Sequence, residues 1–255
     1  MSIGLKERQE QIIQLVQQRG EVPFVEIRNL FPDVSEVTIR RDLETLNHSK
    51  QLVRVYGAVK SIRSLVSPQE DGYFIRSSSH VKEKGIIAQK AIGLLKDNMS
   101  IFVDSGTTMV QLCQQIPDRR FVIYTIGISC ATQLYRLKNA ICYLLGGQIN
   151  NTGQCVFGTM TMDVLRNMTF DIALFGTSGY VPGKGFSSSL PDDYLLRKEV
   201  ILHAEHTAVL MDSSKYGRTG TFLYAGPEDV EYLVSDGNLP SEALKEFSIA
   251  GTTVL

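Results

Sequence analysis

The 255-residue chain has no tryptophan and only four cysteines, Cys113, Cys130, Cys142 and Cys155, none in a C-x-x-C pair. That spacing, without neighbouring histidines, argues against a zinc site. The thiols read instead as reduced, mostly buried side chains of a cytosolic protein. Long apolar runs are lacking too, so no segment reads as a membrane span. The first residues include Lys6, Glu7 and Arg8 and lack the apolar core of a secretion signal, so the expected location is the cytoplasm. There is no internal repeat and no low-complexity segment. Charge of one sign is scarce overall, at a formal net of -1, which alone argues neither for nor against a nucleic-acid partner. Its distribution says more. Residues 1–63 hold 10 Lys/Arg and 8 Asp/Glu, and residues 34–63 hold 6 basic and 3 acidic residues, so a small basic excess gathers in one stretch.

What is present is 43% hydrophobic residues, patterned in two textures. Residues 5–19 read as a helix with Leu5, Gln9, Ile12 and Val16 on one stripe, widened by Ile13 and Leu15 and ended by Gly20. A second helix fits Phe24–Phe31 with Ile27, Leu30 and Phe31 inward, before the Pro32-Asp33 break. A third runs from a Ser35 cap to about Asn47, burying Ile39, Leu43 and Leu46. Strands near Gln51–Val55 and Ala58–Ser61 flank a Tyr56-Gly57 turn. Three helices and a β-hairpin make a winged helix-turn-helix over residues 1–61. Residues 62–75, with Ser64, Ser67, Pro68 and Gly72, read as a connector. Over 76–255 helical patterns alternate with the apolar runs Ile101–Val103, Phe121–Tyr124, Ile141–Leu145, Ile172–Phe175, Ala208–Met211 and Tyr232–Val234. That alternation predicts a larger α/β domain with a mainly parallel sheet.

With Ile39 and Leu43 turned inward, Val37, Thr38, Arg40 and Arg41 flank the exposed face of the third helix, beside the Ser35 cap. A hydroxyl and two guanidinium groups near a helix start suit the major groove of an operator duplex, because arginine can grip two acceptors on guanine or clamp a phosphate. Arg54, Tyr56 and Lys60 fall in or near the wing, within reach of a DNA backbone or minor groove. The plainer explanation is a solvated face with pairs such as Arg40 with Glu36 or Glu44. The helix-turn-helix spacing and the wing outweigh it.

The run Val34-Ser35-Glu36-Val37-Thr38-Ile39-Arg40-Arg41-Asp42-Leu43, followed by Leu52-Val53-Arg54-Val55-Tyr56-Gly57-Ala58, resembles the DeoR family of bacterial transcription regulators. The resemblance continues through Arg76, Lys84-Gly85-Ile86-Ile87-Ala88, Asp104-Ser105-Gly106-Thr107-Thr108, Leu145-Gly146-Gly147 and Asp212-Ser213-Ser214-Lys215-Tyr216-Gly217. It implies that residues 22–41 form the helix-turn-helix segment and that the protein acts mostly as a repressor. It also implies a second domain similar in fold to ribose-phosphate isomerases and glucosamine-phosphate deaminases, with a phosphorylated sugar or related intermediate as effector and no cofactor. The chain departs from the pattern in three places. The wing carries one glycine before Ala58, Thr125-Ile126-Gly127 stands where Thr-Asn-Ser is usual, and His80 replaces a common Asn.

The residues support an anion site independently. Asp104, Ser105, Gly106, Thr107 and Thr108 follow an apolar strand and open a helix. The glycine permits close backbone approach, the hydroxyls donate hydrogen bonds, and the helix start offers free NH groups. Gly146, Gly147 and the Asp212–Lys215 loop also follow apolar runs, so all three loops should open at one sheet edge, where ligands of such folds collect. Lys215 can then neutralise a ligand phosphate, with Lys84 as a second cation; each lysine taken singly reads as a solvated surface residue. A single winged helix reads a short site, so a homodimer or higher homo-oligomer is expected. Two rivals stand beside this reading. A sugar-phosphate isomerase or deaminase would need an acid and a base, for which Asp104, Asp212, His203, Glu205 and His206 are available; they form no tight constellation in the sequence, and no catalytic residue is assigned. A ligand-independent DNA-binding protein is the other.

Overall fold

The computed structural model describes residues 4–49, 51–55, 57–61, 73–151 and 153–255. The chain divides into two compact units, residues 1–78 and 79–255.

In the first unit, helix α1 (Leu5–Arg19) leads through strand β1 (Glu21–Pro23) to helices α2 (Phe24–Leu30) and α3 (Glu36–His48). Strands β2 (Leu52–Val55) and β3 (Ala58–Ser61) follow, and helix α4 (Tyr73–Ser78) comes last. The small antiparallel sheet runs β1-β3-β2, with Val55 opposite Ala58 across the turn. Gly57 has φ +73°, which a glycine adopts without strain, and its carbonyl accepts the Phe24 NH at 2.9 Å. The three helices close over Ile12, Val16, Ile27, Ile39, Leu43 and Leu46.

Two inward assignments differ from the sequence reading. Leu5 is 56% and Leu30 52% exposed. The buried stripe of α1 instead runs Arg8–Ile12–Val16, because Arg8 pairs with Asp42 of α3 through Nε to Oδ2 at 2.6 Å. Gln9 adds a donor to the other oxygen of Asp42 at 3.3 Å.

The second unit is built on one parallel sheet. Its strands are β4 (Ser100–Val103), β5 (Val122–Thr125), β6 (Ile141–Leu144), β9 (Phe170–Gly176), β12 (Ala204–Leu210), β14 (Tyr232–Val234) and β15 (Thr253–Val254). Among the described residues the order is β15-β14-β12-β9-β4-β5-β6, and each adjacent pair is parallel. Helices α5 (Val81–Ile92), α6 (Thr107–Gln115), α7 (Ile128–Leu134), α8 (Thr159–Leu165), α9 (Pro191–Leu202) and α10 (Ser241–Ala250) complete the layers. One core gathers Ile101, Val103, Ile123, Ile172 and Leu210 with α5, α6 and α7. The other gathers Phe102, Phe175, Val209 and Leu233 with α9 and α10.

Two further strand sets were not read from the sequence. A hairpin joins β7 (Gln148–Asn150) and β8 (Cys155–Phe157). A second antiparallel sheet orders β10 (Gly179–Val181), β11 (Gly185–Ser188) and β13 (Phe222–Ala225). Cys142 is exposed on β6, unlike the other three thiols. Among the described residues no helix is long and apolar enough to cross a membrane.

Candidate functional site

The helix expected to read DNA is α3 (Glu36–His48). Ser35 caps it, accepting the Thr38 NH at 3.2 Å, and the two hydroxyls lie 2.8 Å apart. Beyond the cap, Val37 is 62% exposed and Arg41 points to solvent. Arg40 is also exposed, but its guanidinium donates to Glu36 at 2.7 and 3.1 Å. It also lies 4.3 Å over the Phe24 ring. Glu36 therefore does hold Arg40, as the plainer explanation required; such exposed pairs are worth roughly 0–1 kcal/mol and yield to a phosphate or guanine. In the wing, Arg54 pairs with Glu44 at 2.9 Å. Lys60 sits on the central strand β3, opposite Glu21 and Val53 in register, farther from the turn than Arg54. Tyr56 lies outside the described residues, as do residues 62–72 of the expected connector.

In the second unit, the strand order reverses between β4 and β9. Strands β5 and β6 lie to one side of β4, and β9, β12, β14 and β15 to the other. In parallel sheets the crevice at such a reversal, beyond the strand carboxyl ends, is the favoured ligand site. Asp104 stands there, buried, accepting the Gly176 NH at 3.2 Å and Arg197 Nε at 3.0 Å on one oxygen. Ser105 and Thr107 are buried beside it. Gly106 has φ +105°, and a side chain there would meet nothing within 4 Å, so the backbone faces open space. Helix α6 starts at this glycine with no side-chain cap. Its first NH groups are thus available to an anion, with Thr107 and Thr108 beside them. Gly127 of the β5 loop approaches closely as well: a side chain there would lie 3.3 Å from Ser105 Cα.

The other predicted residues fall at different distances from this loop. The Asp212–Lys215 turn follows β12, two strands from β4, or about 10 Å at the usual strand spacing. Asp212 accepts the Ser214 NH at 3.2 Å and so holds its own loop, while Lys215 is half-buried. Asp236, after β14, braces the same turn by accepting Ser213 N at 2.8 Å and Ser213 Oγ at 3.0 Å. Burial alone would raise the Asp236 carboxyl, but donors from Asn238, Ser213 and Ser235 hold it below its ordinary range. Gly146 and Gly147 follow β6, on the opposite flank. The Gly146 carbonyl accepts Thr161 Oγ1 at 2.8 Å, and a side chain at Gly147 would collide with Thr161 and the Phe157 carbonyl. Their freedom lets the β7–β8 hairpin fold back until Cys155 bridges Gly127. Lys84 is buried rather than solvated; it lies on the same α5 stripe as Ile87, Ala88 and Ala91, and Nζ donates to the Ser79 carbonyl at 2.7 Å.

Several polar residues at the reversal were not anticipated: Arg197, Thr177, Tyr224 and Ser187–Ser189. Tyr224 OH donates to the Gly176 carbonyl at 3.2 Å, and burial raises its hydroxyl to about 12. Arg197 carried a signal, since it falls within the apolar stripe Leu196–Val200. The Gly185-Phe186-Ser187-Ser188 strand carried none, because its composition is that of a loop.

The proposed acid–base residues of an enzyme are not brought together. His206 lies in β12 and pairs with Glu231 at 2.6 Å. His203 ends α9. His203 precedes β12 and His206 is its third residue, whereas Asp212 follows the strand, so about 20 Å or more of extended chain separates each histidine from Asp212. Among the described residues no His/Cys/Asp/Glu group is arranged to hold a metal ion.

Two family descriptions match the chain: a DeoR-like helix-turn-helix domain over residues 8–65 and a DeoR C terminal sensor domain over residues 79–237. An uncharacterized HTH-type transcriptional regulator FruR of Bacillus subtilis (strain 168) is 32% identical over 231 residues, 90% of each chain. A lactose phosphotransferase system repressor of Staphylococcus epidermidis is 28% identical, covering 91% of this chain and 92% of its own. Among solved structures, ribose 5 phosphate isomerase A from Neisseria gonorrhoeae aligns over 55% of each chain at 15% identity, with a TM-score of 0.40.

Proposed function

The chain belongs to the DeoR family of transcription regulators, and from that premise we propose that it is a repressor of sugar-metabolism genes whose hold on DNA is set by a phosphorylated sugar or a related metabolite. It works in the cytoplasm as a homodimer or larger assembly. Residues 1–61 read the operator, with Ser35, Val37, Thr38, Arg40 and Arg41 in the major groove and Arg54, Tyr56 and Lys60 along the backbone. Residues 62–75 connect that head to the sensor over 76–255.

The observation that carries the effector assignment is the uncapped start of α6 at the sheet's reversal point, lined by Ser105, Thr107 and Thr108. An oxyanion bound there takes the free NH groups and the favourable end of the helix dipole. Lys215, on the turn two strands away, brings positive charge toward the same phosphate. Asp104 keeps the loop in place. Binding alters DNA affinity to the extent that the ligand prefers one of two arrangements of the protein, typically about 1–3 kcal/mol of coupling.

The test is calorimetric titration of wild type, Thr107→Ala and Lys215→Ala with the tightest compound from a sugar-phosphate panel. Both variants are expected to bind more weakly, while ligand-free operator binding stays intact. Equal affinity in all three proteins moves the effector elsewhere. Preference for the unphosphorylated sugar ends the phosphate assignment.

A further inference from the structure

In a helix-turn-helix, the N-terminal residues of the second helix contact base edges. Glu36 is the first residue of α3, and two guanidinium groups converge on it. Arg40, one turn on, donates to Oε1 through Nη2 at 2.7 Å and Nε at 3.1 Å. Arg28 of α2 stands 3.9 Å from Oε2. All three side chains are about half exposed, and the Arg40 guanidinium also lies 4.3 Å over the Phe24 ring of α2. In the free protein one carboxylate thus ties down a cation from each helix of the pair. The other carboxylates of α3 stand elsewhere. Asp42 is buried against Arg8, and Glu44, about two turns on, is held by Arg54 of the wing at 2.9 Å.

A carboxylate at the start of a reading helix is a cost on most DNA. It only accepts hydrogen bonds, and phosphates and the major-groove edge of guanine offer acceptors alone. Adenine sets an N7 acceptor beside its amino group, whereas the cytosine amino group is a donor that glutamate takes directly. A C·G pair therefore suits Glu36 and Arg40 together. The carboxylate accepts from cytosine N4, and the released guanidinium grips N7 and O6 of the paired guanine. Exposed ion pairs are weak enough for that exchange. We propose that Glu36 is a specificity-determining residue of the reading head, favouring sites that set a cytosine amino group under the start of α3. On any other sequence it keeps Arg28 and Arg40 and repels the backbone, so specificity comes as much from repulsion as from contact. This rests on α3 as the helix that reads the operator.

The full chain and its Glu36→Ala, Glu36→Gln and Arg41→Ala variants each select bound duplexes from a random-sequence DNA library. Each is also titrated with one fixed mixed-sequence duplex at several salt concentrations. Wild type is expected to select cytosine at one position of each half-site. Glu36→Ala should lose that preference and keep the others. Glu36→Gln should move it toward adenine, because an amide grips adenine N6 and N7 together. With Arg28 and Arg40 released, both variants should hold the mixed-sequence duplex several-fold more tightly, with a salt slope steeper by about 1–2. The Ser35 cap is untouched, so the urea midpoint of the first unit should stay near wild type. If Glu36→Ala unfolds early, Glu36→Gln, which keeps the side chain's size, carries the comparison. Sites that match wild type's in the Glu36 variants, or mixed-sequence binding no tighter than wild type's, overturn the proposal. If that happens while Arg41→Ala loses binding, α3 remains the reader and only the role of Glu36 falls. If Arg41→Ala selects and binds like wild type, α3 is not the reader and this inference falls with it.

Discussion

Asp42 shows how one residue can serve both core and surface. It sits on the buried side of α3, where Arg8 and Gln9 of α1 occupy both its oxygens, and the adjacent Arg41 is exposed. A buried pair adds little net stability, but breaking it strands a charge. Asp42→Ala should therefore cost about 3–5 kcal/mol, read as the urea midpoint of the first unit; a loss under about 1 kcal/mol would show that water reaches Arg8. Arg41→Ala should leave that midpoint in place and weaken operator binding by about 1–3 kcal/mol, measured by fluorescence anisotropy at fixed salt. Wild-type affinity in the folded variant would remove α3 as the reader. Arg41 was legible from the sequence because it lies off the Ile39–Leu43 stripe. Arg8 was not. Periodicity counts a charged residue as outward, and only the partner on another helix turns it in.

At the scale of elements, the braces behind the loops decide how well each one is held. The Asp236 carboxyl is depressed by donors from Asn238 and Ser235 together with Ser213 of the Lys215 turn. A carboxyl lowered on folding contributes stability that is fully present above its unfolded value and is lost as pH falls through the folded one, from about pH 4 downward. Thermal melts across that range should show a shallower acid decline for Asp236→Asn than for wild type; parallel curves would mean that Asp236 does not titrate with folding. Gly147→Ala has to displace Thr161 or the Phe157 backbone, so it should destabilise the second unit by about 1–3 kcal/mol, seen in its melting temperature. A neutral effect would show that the hairpin shifts at no cost. The apolar runs made the central parallel strands β4, β9 and β12 legible because they are mostly buried on both faces, while the run of β6 is as apolar but stands exposed at the sheet edge. The hairpin and the β10-β11-β13 sheet escaped notice because Ser, Gly and Gln pair as strands there only through tertiary contacts. The same Ser-rich strand leads to Ser189 and α9, which is why half of the candidate site was invisible while the Ser105–Thr108 loop was plain.

At the scale of the whole molecule, a single winged helix fits one half-site, and a two-fold dimer fits two, with centres about 10–10.5 base pairs apart or a multiple of that. Inserting about 5 base pairs between half-sites should abolish tight binding by turning one of them to the far side of the duplex. Undiminished affinity, or a monomer in light scattering with DNA present, would reject the paired arrangement.

The reversal of strand order between β4 and β9 also sets a timetable. Strand β4 ends at Val103, and its neighbour β9 begins at Phe170. At a synthesis rate of about 5–20 residues per second, β4 has no β9 beside it for roughly 3–13 s after it is made. By the later part of that interval, once β6 has been made at residue 144, a growing chain carries a sheet of β4, β5 and β6 with an apolar open edge, the kind of edge on which other chains can pair. Slowing the ribosome between residues 104 and 169 should therefore lower the yield of folded protein, whereas the same delay placed after β12 should cost less.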